Sequence, residues 1–305
     1  MRGSEQDIII DLIRTKGPLT GLEIKKEIDA DSLLIWRTCK TSRELRVRTL
    51  ATRYMRLDRH VDGFARLSPS ILREFLTYSV TGLAGNPDPL EKRCREVMGR
   101  IHEISGYKLG LARQMVSEIM EEFEAEVSKN HQICFIIAGD IVYDMAHDVP
   151  RPERSTGRLV KGSDMDLVAV VDDTLPDTSI AKLDELIYQK KYRMLINPAI
   201  NEEVDYKIKR LGLIRNQARF DDFKHMVAVK ILHEGLLIWG SKDLFSAVKA
   251  ILRENALPEK LEELERLAKV FRDKAEKTIL DGSLDKEQIQ NLHLFYSTEE
   301  FEEFE

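Results

Sequence analysis

The sequence predicts an α+β fold: a small mixed β-sheet core flanked by helices, with an N-terminal module of short helices and a hairpin and a helical C-terminal region. Three observations predict it. QICFIIAG and DMDLVAVV are short continuous apolar runs, the pattern of buried strands, and NEEVDYKIK sets Val204, Tyr206 and Ile208 alternately against polar neighbours as a third strand. Long segments on both sides carry apolar residues at helical spacing. AGNPDP is a cluster of chain breakers that marks a linker between the two halves.

The bulk numbers agree with a globular chain. Its 305 residues are 43% hydrophobic and 33% charged, for which two domains are the natural expectation. No apolar run approaches the roughly 20 residues that span a bilayer, so no membrane partner is expected. The opening MRGSEQDIIIDLIRTKG carries Asp7 and Asp11 and reads as a helix, not a signal peptide. Cys39, Cys94 and Cys134 are far apart and lack metal-type spacing, which indicates neither a disulfide framework nor a zinc site and makes a reducing cytoplasm the expected location.

Four regions are expected: 1–85, a connector at 86–128, a core at 129–245, and C-terminal helices with an acidic tail at 246–305. In the first, EQDIIIDLIRTK is a helix with Ile8, Ile9, Leu12 and Ile13 on its apolar positions. Thr20 with Glu23 has capping-box spacing ahead of GLEIKKEI. A third helical segment is expected from about Leu33 through Leu50, a hairpin around Asp62-Gly63, and a further helix over 70–83. Residues 90–128 read as strongly helical. After the first core strand, IVYDMAHD is expected to form a helix, and VPRPERSTGRLVKG a loop. From Asp221 the pattern is helical through KHMVAVKILHEGLLIWG and onward to KTIL.

The chemistry concentrates at KGSDMDLVAVV. Residues i and i+2 of a strand point to the same side, so Asp164 and Asp166 project together. Two carboxylates that close repel unless a cation joins them. A hard dication such as Mg²⁺ (or Mn²⁺) takes oxygen ligands from one or two carboxylates plus substrate phosphates. Asp205, on the third strand, is placed to complete the site, with Glu202 or Glu203 as alternatives under another strand register. Asp-x-Asp also occurs at solvated strand ends and helix caps. Gly162-Ser163 before it, the apolar strand after it and the third carboxylate single this one out.

A strand ending in a glycine turn, then a helix, then Asp-x-Asp opening a second strand, then a lone Asp on a third resembles the nucleotidyltransferase superfamily of DNA polymerase β over about residues 130–245. GSDMDLVAVV is similar to that family's metal-binding segment, and HEGLLIWGSKDLF loosely echoes its following helix. The resemblance implies metal-dependent transfer of a nucleoside monophosphate from an NTP, ATP among the candidates, to a hydroxyl acceptor with release of pyrophosphate. It implies that Asp164 and Asp166 bind metal and that Asp205 assists or deprotonates the acceptor. The family's Gly-Ser turn, which grips the triphosphate, corresponds here to Gly139-Asp140. Ser163 follows Gly162. Arg154, Arg158 and Lys161, with Arg151, lie in the intervening loop, and Lys230 on a later helix; these are candidate phosphate contacts.

The N-terminal order of helices and hairpin resembles a winged helix-turn-helix. Its Arg43, Arg46, Arg48, Arg53, Arg56 and Arg59 are candidate contacts to DNA or RNA despite the net charge of −6, because phosphates respond to a local basic face. Many such modules bind protein instead. Three readings follow: an active transferase; a DNA-binding transcriptional regulator whose transferase-like domain is inactive and senses nucleotide; and a toxin-like transferase acting on tRNA or protein. His147, His225 and His233 read as surface or packing residues, and Trp36 and Trp239 as core anchors. The sequence carries no signal of oligomeric state.

Overall fold

The computed structural model describes residues 5–53, 55, 57–61, 64–67, 71–126, 132–153 and 156–295, a mixed α+β chain that divides into two compact units. One comprises Met1–Arg100 with Glu262–Glu305, the other Ile101–Leu261. No described helix is long and apolar enough to cross a membrane.

The N-terminal part of the first unit opens with α1 (Glu5–Lys16), β1 (Leu19–Thr20), α2 (Gly21–Glu27) and α3 (Ser32–Thr41). The capping box forms: the Thr20 hydroxyl accepts from the Glu23 amide, and Glu23 reaches back to the Thr20 amide at 2.8 Å. β2 (Leu45–Thr49) follows, then β3 (Leu57–Val61) and β4 (Phe64–Leu67), α4 (Ile71–Thr77) and β5 (Ser79–Leu83). The third helix therefore ends at Thr41, short of the expected Leu50. Ser42 leaves helical geometry, and LRVRT, with alternating side chains, pairs as β2 with β5. The helix expected over 70–83 likewise stops at Thr77, and SVTGL becomes the middle strand of the antiparallel order β1-β5-β2. Backbone pairing with two partners overrides local helical spacing at both places. β3 and β4 pair antiparallel with Val61 opposite Phe64; the Asp62-Gly63 turn itself lies outside the described residues, as does Tyr54.

α5 (Pro87–Glu126) begins directly at the breaker cluster, where proline suits a first helical turn, and runs for 40 residues through the expected connector. The second unit then builds one sheet from β6 (Ile133–Ala138), β9 (Met165–Val171), β10 (Val204–Arg210) and β11 (Leu236–Gly240), with the small β7 (Pro150–Pro152) and β8 (Leu159–Lys161) pair inserted between β6 and β9. The strand order is β10-β9-β6-β11; β9 and β10 are parallel, and β6 runs antiparallel to both of its neighbours. The two inner strands are the continuous apolar runs, since both faces are covered. β10, at the edge, alternates. α6 (Asp177–Ile196), α7 (Leu211–Gln217), α8 (Phe223–Glu234) and α9 (Lys242–Glu254) complete this unit. Its core gathers Ile104, Val116, Ile119, Phe135, Leu167 and Leu183, and the half-buried Trp239 meets Phe135 edge-on at 6.3 Å.

Two further expectations are corrected here. IVYDMAHD is not a helix: a single 3-10 turn covers Gly139–Ile141, and Asp144 then adopts a φ of 55°. HEGLLIWG is not continuous helix either. Gly235 ends α8, whose last turn closes onto it, and LLIWG pairs as β11 with β6. Buried Ile136 and Ile137 offer β11 a partner strand that helical periodicity cannot register.

α10 (Leu257–Leu280) and α11 (Lys286–Asn291) bring the chain back to the first unit. Ala275, Ile279, Ile289 and Phe295 join Ile9, Ile24, Trp36 and Phe75 in its core, with Phe295 packed on the fully buried Trp36 at 5.4 Å between ring centroids. Residues 296–305, the acidic tail, lie outside the described part.

Candidate functional site

Strand register assembles the carboxylates. Asp166 on β9 and Asp205 on β10 are direct cross-strand partners in the parallel ladder, and Asp164 sits immediately before β9. Carboxylate oxygens of Asp164, Asp166 and Asp205 all lie within 4.8 Å of one another. That register also decides between the neighbouring acids. Glu202, fully buried, pairs with the equally buried Lys108 of α5, which also donates to the Lys161 carbonyl at 2.7 Å. Glu203 pairs with Arg151 at 2.8 Å. Both glutamates are engaged by cations of the fold, and Asp205 is the one facing Asp166.

Charge at the cluster is poorly compensated from within. The Arg151 guanidinium stands 3.7 Å from Asp164, and Lys191 of α6 stands 3.6 Å from Asp205, which is largely exposed. Asp166 forms no ion pair among the described residues. Burial first, then the charges of Asp164, Asp140, Asp205 and Glu234, push its carboxyl well above the usual carboxylate range. Oxygen donors of this number and hardness fit a divalent cation such as Mg²⁺ or Mn²⁺, which would be held by Asp164, Asp166 and Asp205.

Two glycines let the backbone come this close. Gly139 has φ 76°, and a Cβ there would fall 2.2 Å from Asp166 Oδ2. Gly162 has φ 59°, and a Cβ there would fall 2.0 Å from the His147 carbonyl oxygen. The buried Ser163 hydroxyl ties the segments together. It accepts from the His147 amide at 3.2 Å and donates to Asp140 Oδ2 at 3.2 Å, while the Ser163 amide donates to the His147 carbonyl. Arg151 Nε donates to the Gly162 carbonyl at 2.7 Å. The turn after β6 and the entry to β9 are thus one hydrogen-bonded unit.

The candidate phosphate contacts divide. Gly139, Asp140 and Ser163 lie at the cluster. The Gly139 amide donates to Glu234 Oε1 at 3.1 Å, and Lys230 pairs with Glu234. Lys161 Nζ is committed to the Ala199 carbonyl at 3.1 Å, and Arg158 sits exposed beside the β7–β8 pair. Arg154 lies outside the described residues. Sequence reasoning missed Glu234 and Tyr143 as parts of the site, and Lys108 as the cation that takes Glu202 out of it. A glutamate just before the glycine that ends a helix was a usable signal for the first, because a carboxylate is disfavoured at a helix C-terminus.

A second acidic group, Asp221, Asp222 and His225, is explained by helix capping. Asp222 accepts the His225 amide as N-cap of α8, and Asp221 accepts from the His225 ring.

In the first unit Arg43, Arg46 and Arg48 are exposed, the last two on one side of the edge strand β2, with Arg48 3.4 Å from Glu91. Arg53 is half-buried. Arg56 and the Arg59 side chain lie outside the described residues. Part of the basic run is structural: Arg37 donates to the Ile279 carbonyl at 2.9 Å, and Lys40 pairs with Glu276. The chain matches no protein-family model and no curated protein sequence.

Proposed function

We propose that the second unit is a nucleotidyltransferase core of the DNA polymerase β type, transferring a nucleoside monophosphate from an NTP to a hydroxyl acceptor with release of pyrophosphate. The observation that carries this reading is the alignment of Asp166 with Asp205 across adjacent parallel strands, with Asp164 completing a triad of carboxylate oxygens within 4.8 Å. The adjacent order of β6, β9 and β10, with a glycine turn closing β6, supports the same topology. A bound Mg²⁺ or Mn²⁺ would neutralise charge on the phosphates and on the attacking and leaving oxygens.

The chain's own residues supply placement. Asp164 and Asp166 would hold the cation together with Asp205, which as the most exposed of the three is also the member available to take a proton from the acceptor hydroxyl. Arg151, fixed by Gly162 and Glu203, steadies Asp164. Incubation with Mg²⁺ and each labelled NTP should give transfer to an acceptor that Asp166→Ala reduces to background. Equal activity in wild type and variant would rule out the assigned site.

The first unit fits a winged-helix-like recruiting module, supported by three short helices around the antiparallel order β1-β5-β2 and by the exposed Arg43, Arg46 and Arg48. One observation favours a second reading, a DNA-binding regulator that senses nucleotide without turning it over. Asp140 lies among the charges bearing on Asp166, where an approaching triphosphate meets an added anion. A nucleotide-responsive DNA footprint with no pyrophosphate release would favour that reading; release of pyrophosphate would dismiss it.

A further inference from the structure

Glu234 is placed where a carboxylate has little reason to be. It closes α8 at the negative end of the helix, its side chain is only 4% exposed, and its charge adds to those already facing Asp166. The end carbonyls that would attract a cation are met by another residue: Lys249 donates to the carbonyls of Leu232, His233 and Gly235 at 2.8, 2.7 and 2.9 Å. Donors of different kinds hold Glu234 instead. The Gly139 amide reaches Oε1 at 3.1 Å, the Tyr143 hydroxyl reaches Oε2 at 2.9 Å, and the Lys230 ammonium pairs with the same Oε2.

A backbone amide, a phenol and an ammonium converging on one anion make up the donor set that a phosphate oxygen takes. The amide belongs to the glycine whose missing Cβ leaves room for Asp166, so the donors adjoin the carboxylate triad. We propose that Glu234 is a built-in anion on the donors of Gly139, Tyr143 and Lys230, and that an incoming phosphate-type group displaces it from this subsite. The identification of that phosphate with the NTP or its pyrophosphate product rests on the transferase reading. The displaced carboxylate swings away from Asp166, which relieves repulsion at the triad in the same movement. Because the triad repels any anion that arrives alone, occupancy of the subsite depends on a divalent cation.

The test is calorimetric titration of the full-length protein with inorganic pyrophosphate, with and without Mg²⁺. Glu234→Ala removes the competing anion and should tighten Mg²⁺-dependent pyrophosphate binding about tenfold or more. Glu234→Gln keeps the shape and should show a smaller gain, and it carries the comparison if the alanine variant does not fold. Adding Lys230→Met to either variant should erase the gain. Binding by both Glu234 variants no tighter than wild type, or a gain that survives Lys230→Met, would overturn the subsite. If wild type releases pyrophosphate from an NTP but the Glu234 variants gain nothing, this inference falls and the transferase reading stands. If the gain is present in a chain that turns over no NTP, the subsite stands and the transferase reading falls.

Discussion

Glu202 and Asp166 are both buried acids of the second unit, near the entries of adjacent strands, yet the fold treats them in opposite ways. Glu202 has Lys108 delivered to it from α5, equally buried. Burial pushes Glu202 up and pulls Lys108 down, and each partner's charge opposes the effect on the other. Asp166 has no such cation among the described residues and faces four other carboxylates. At Glu202 the fold buries a cation with the acid. At Asp166 it supplies none among the described residues, and the negative charge is available to something from outside. Lys209 is the converse case, a buried ammonium of β10 whose hydrogen bond is to the Gln217 amide oxygen at 3.0 Å and not to an acid.

The largest break in this comparison comes from removing the internal cation. Lys108→Met strands Glu202 and should destabilise the second unit by about 3–5 kcal/mol in urea unfolding. Lys108→Met with Glu202→Leu should recover most of that loss. Next in size is the external cation: Mg²⁺ or Mn²⁺ at about 100 times its Kd should stabilise wild type by about 2.7 kcal/mol. Asp166→Asn should show no such gain, whereas a gain equal to wild type would mean that the cation binds elsewhere.

A smaller effect concerns pH. Burial, with help from Lys207, pulls the Lys209 ammonium down to about 8 from its usual 10.5. Between those values the folded protein has released a proton that the unfolded chain still holds. Stability should therefore rise with pH across that window, by at most about 1.4 kcal/mol per unit. Urea midpoints at pH 8 and 9 should show the rise in wild type and lose it in Lys209→Met. Smallest is the intrinsic cost of the triad. In EDTA at neutral pH, Asp166→Asn should be more stable than wild type by on the order of 1 kcal/mol, because it removes a buried like charge. A less stable variant would show that Asp166 is held by favourable contacts after all.

Much of the second unit was legible in the sequence. QICFIIAG and DMDLVAVV announce inner strands because burial on both faces demands continuous apolar side chains, and Asp164 with Asp166 announces a shared face because strand geometry has period two. Thr20 and Glu23 announce a helix start through their own hydrogen bonds. Misreadings fell where a segment's state depends on a distant partner. SVTGL and LLIWG carry enough apolar residues to pass for helix, and only the waiting strands β2 and β6 make them sheet. Asp205 was the expected third acid, but Glu202 and Glu203 stayed open as alternatives because the strand register is not written in the sequence.

The sequence by itself determined the class of fold, the strand that carries the paired aspartates and the hard-oxygen character of the site, all of which follow from local periodicity and side-chain chemistry. Tertiary structure decided which third acid joins them. Parallel pairing places Asp205 opposite Asp166, while Lys108 and Arg151, 94 and 52 residues from their partners, neutralise the two glutamates. It also decided that Glu234 lies against Gly139. Both outcomes depend on contacts between segments far apart in the chain, and no local pattern encodes which buried charge will meet which.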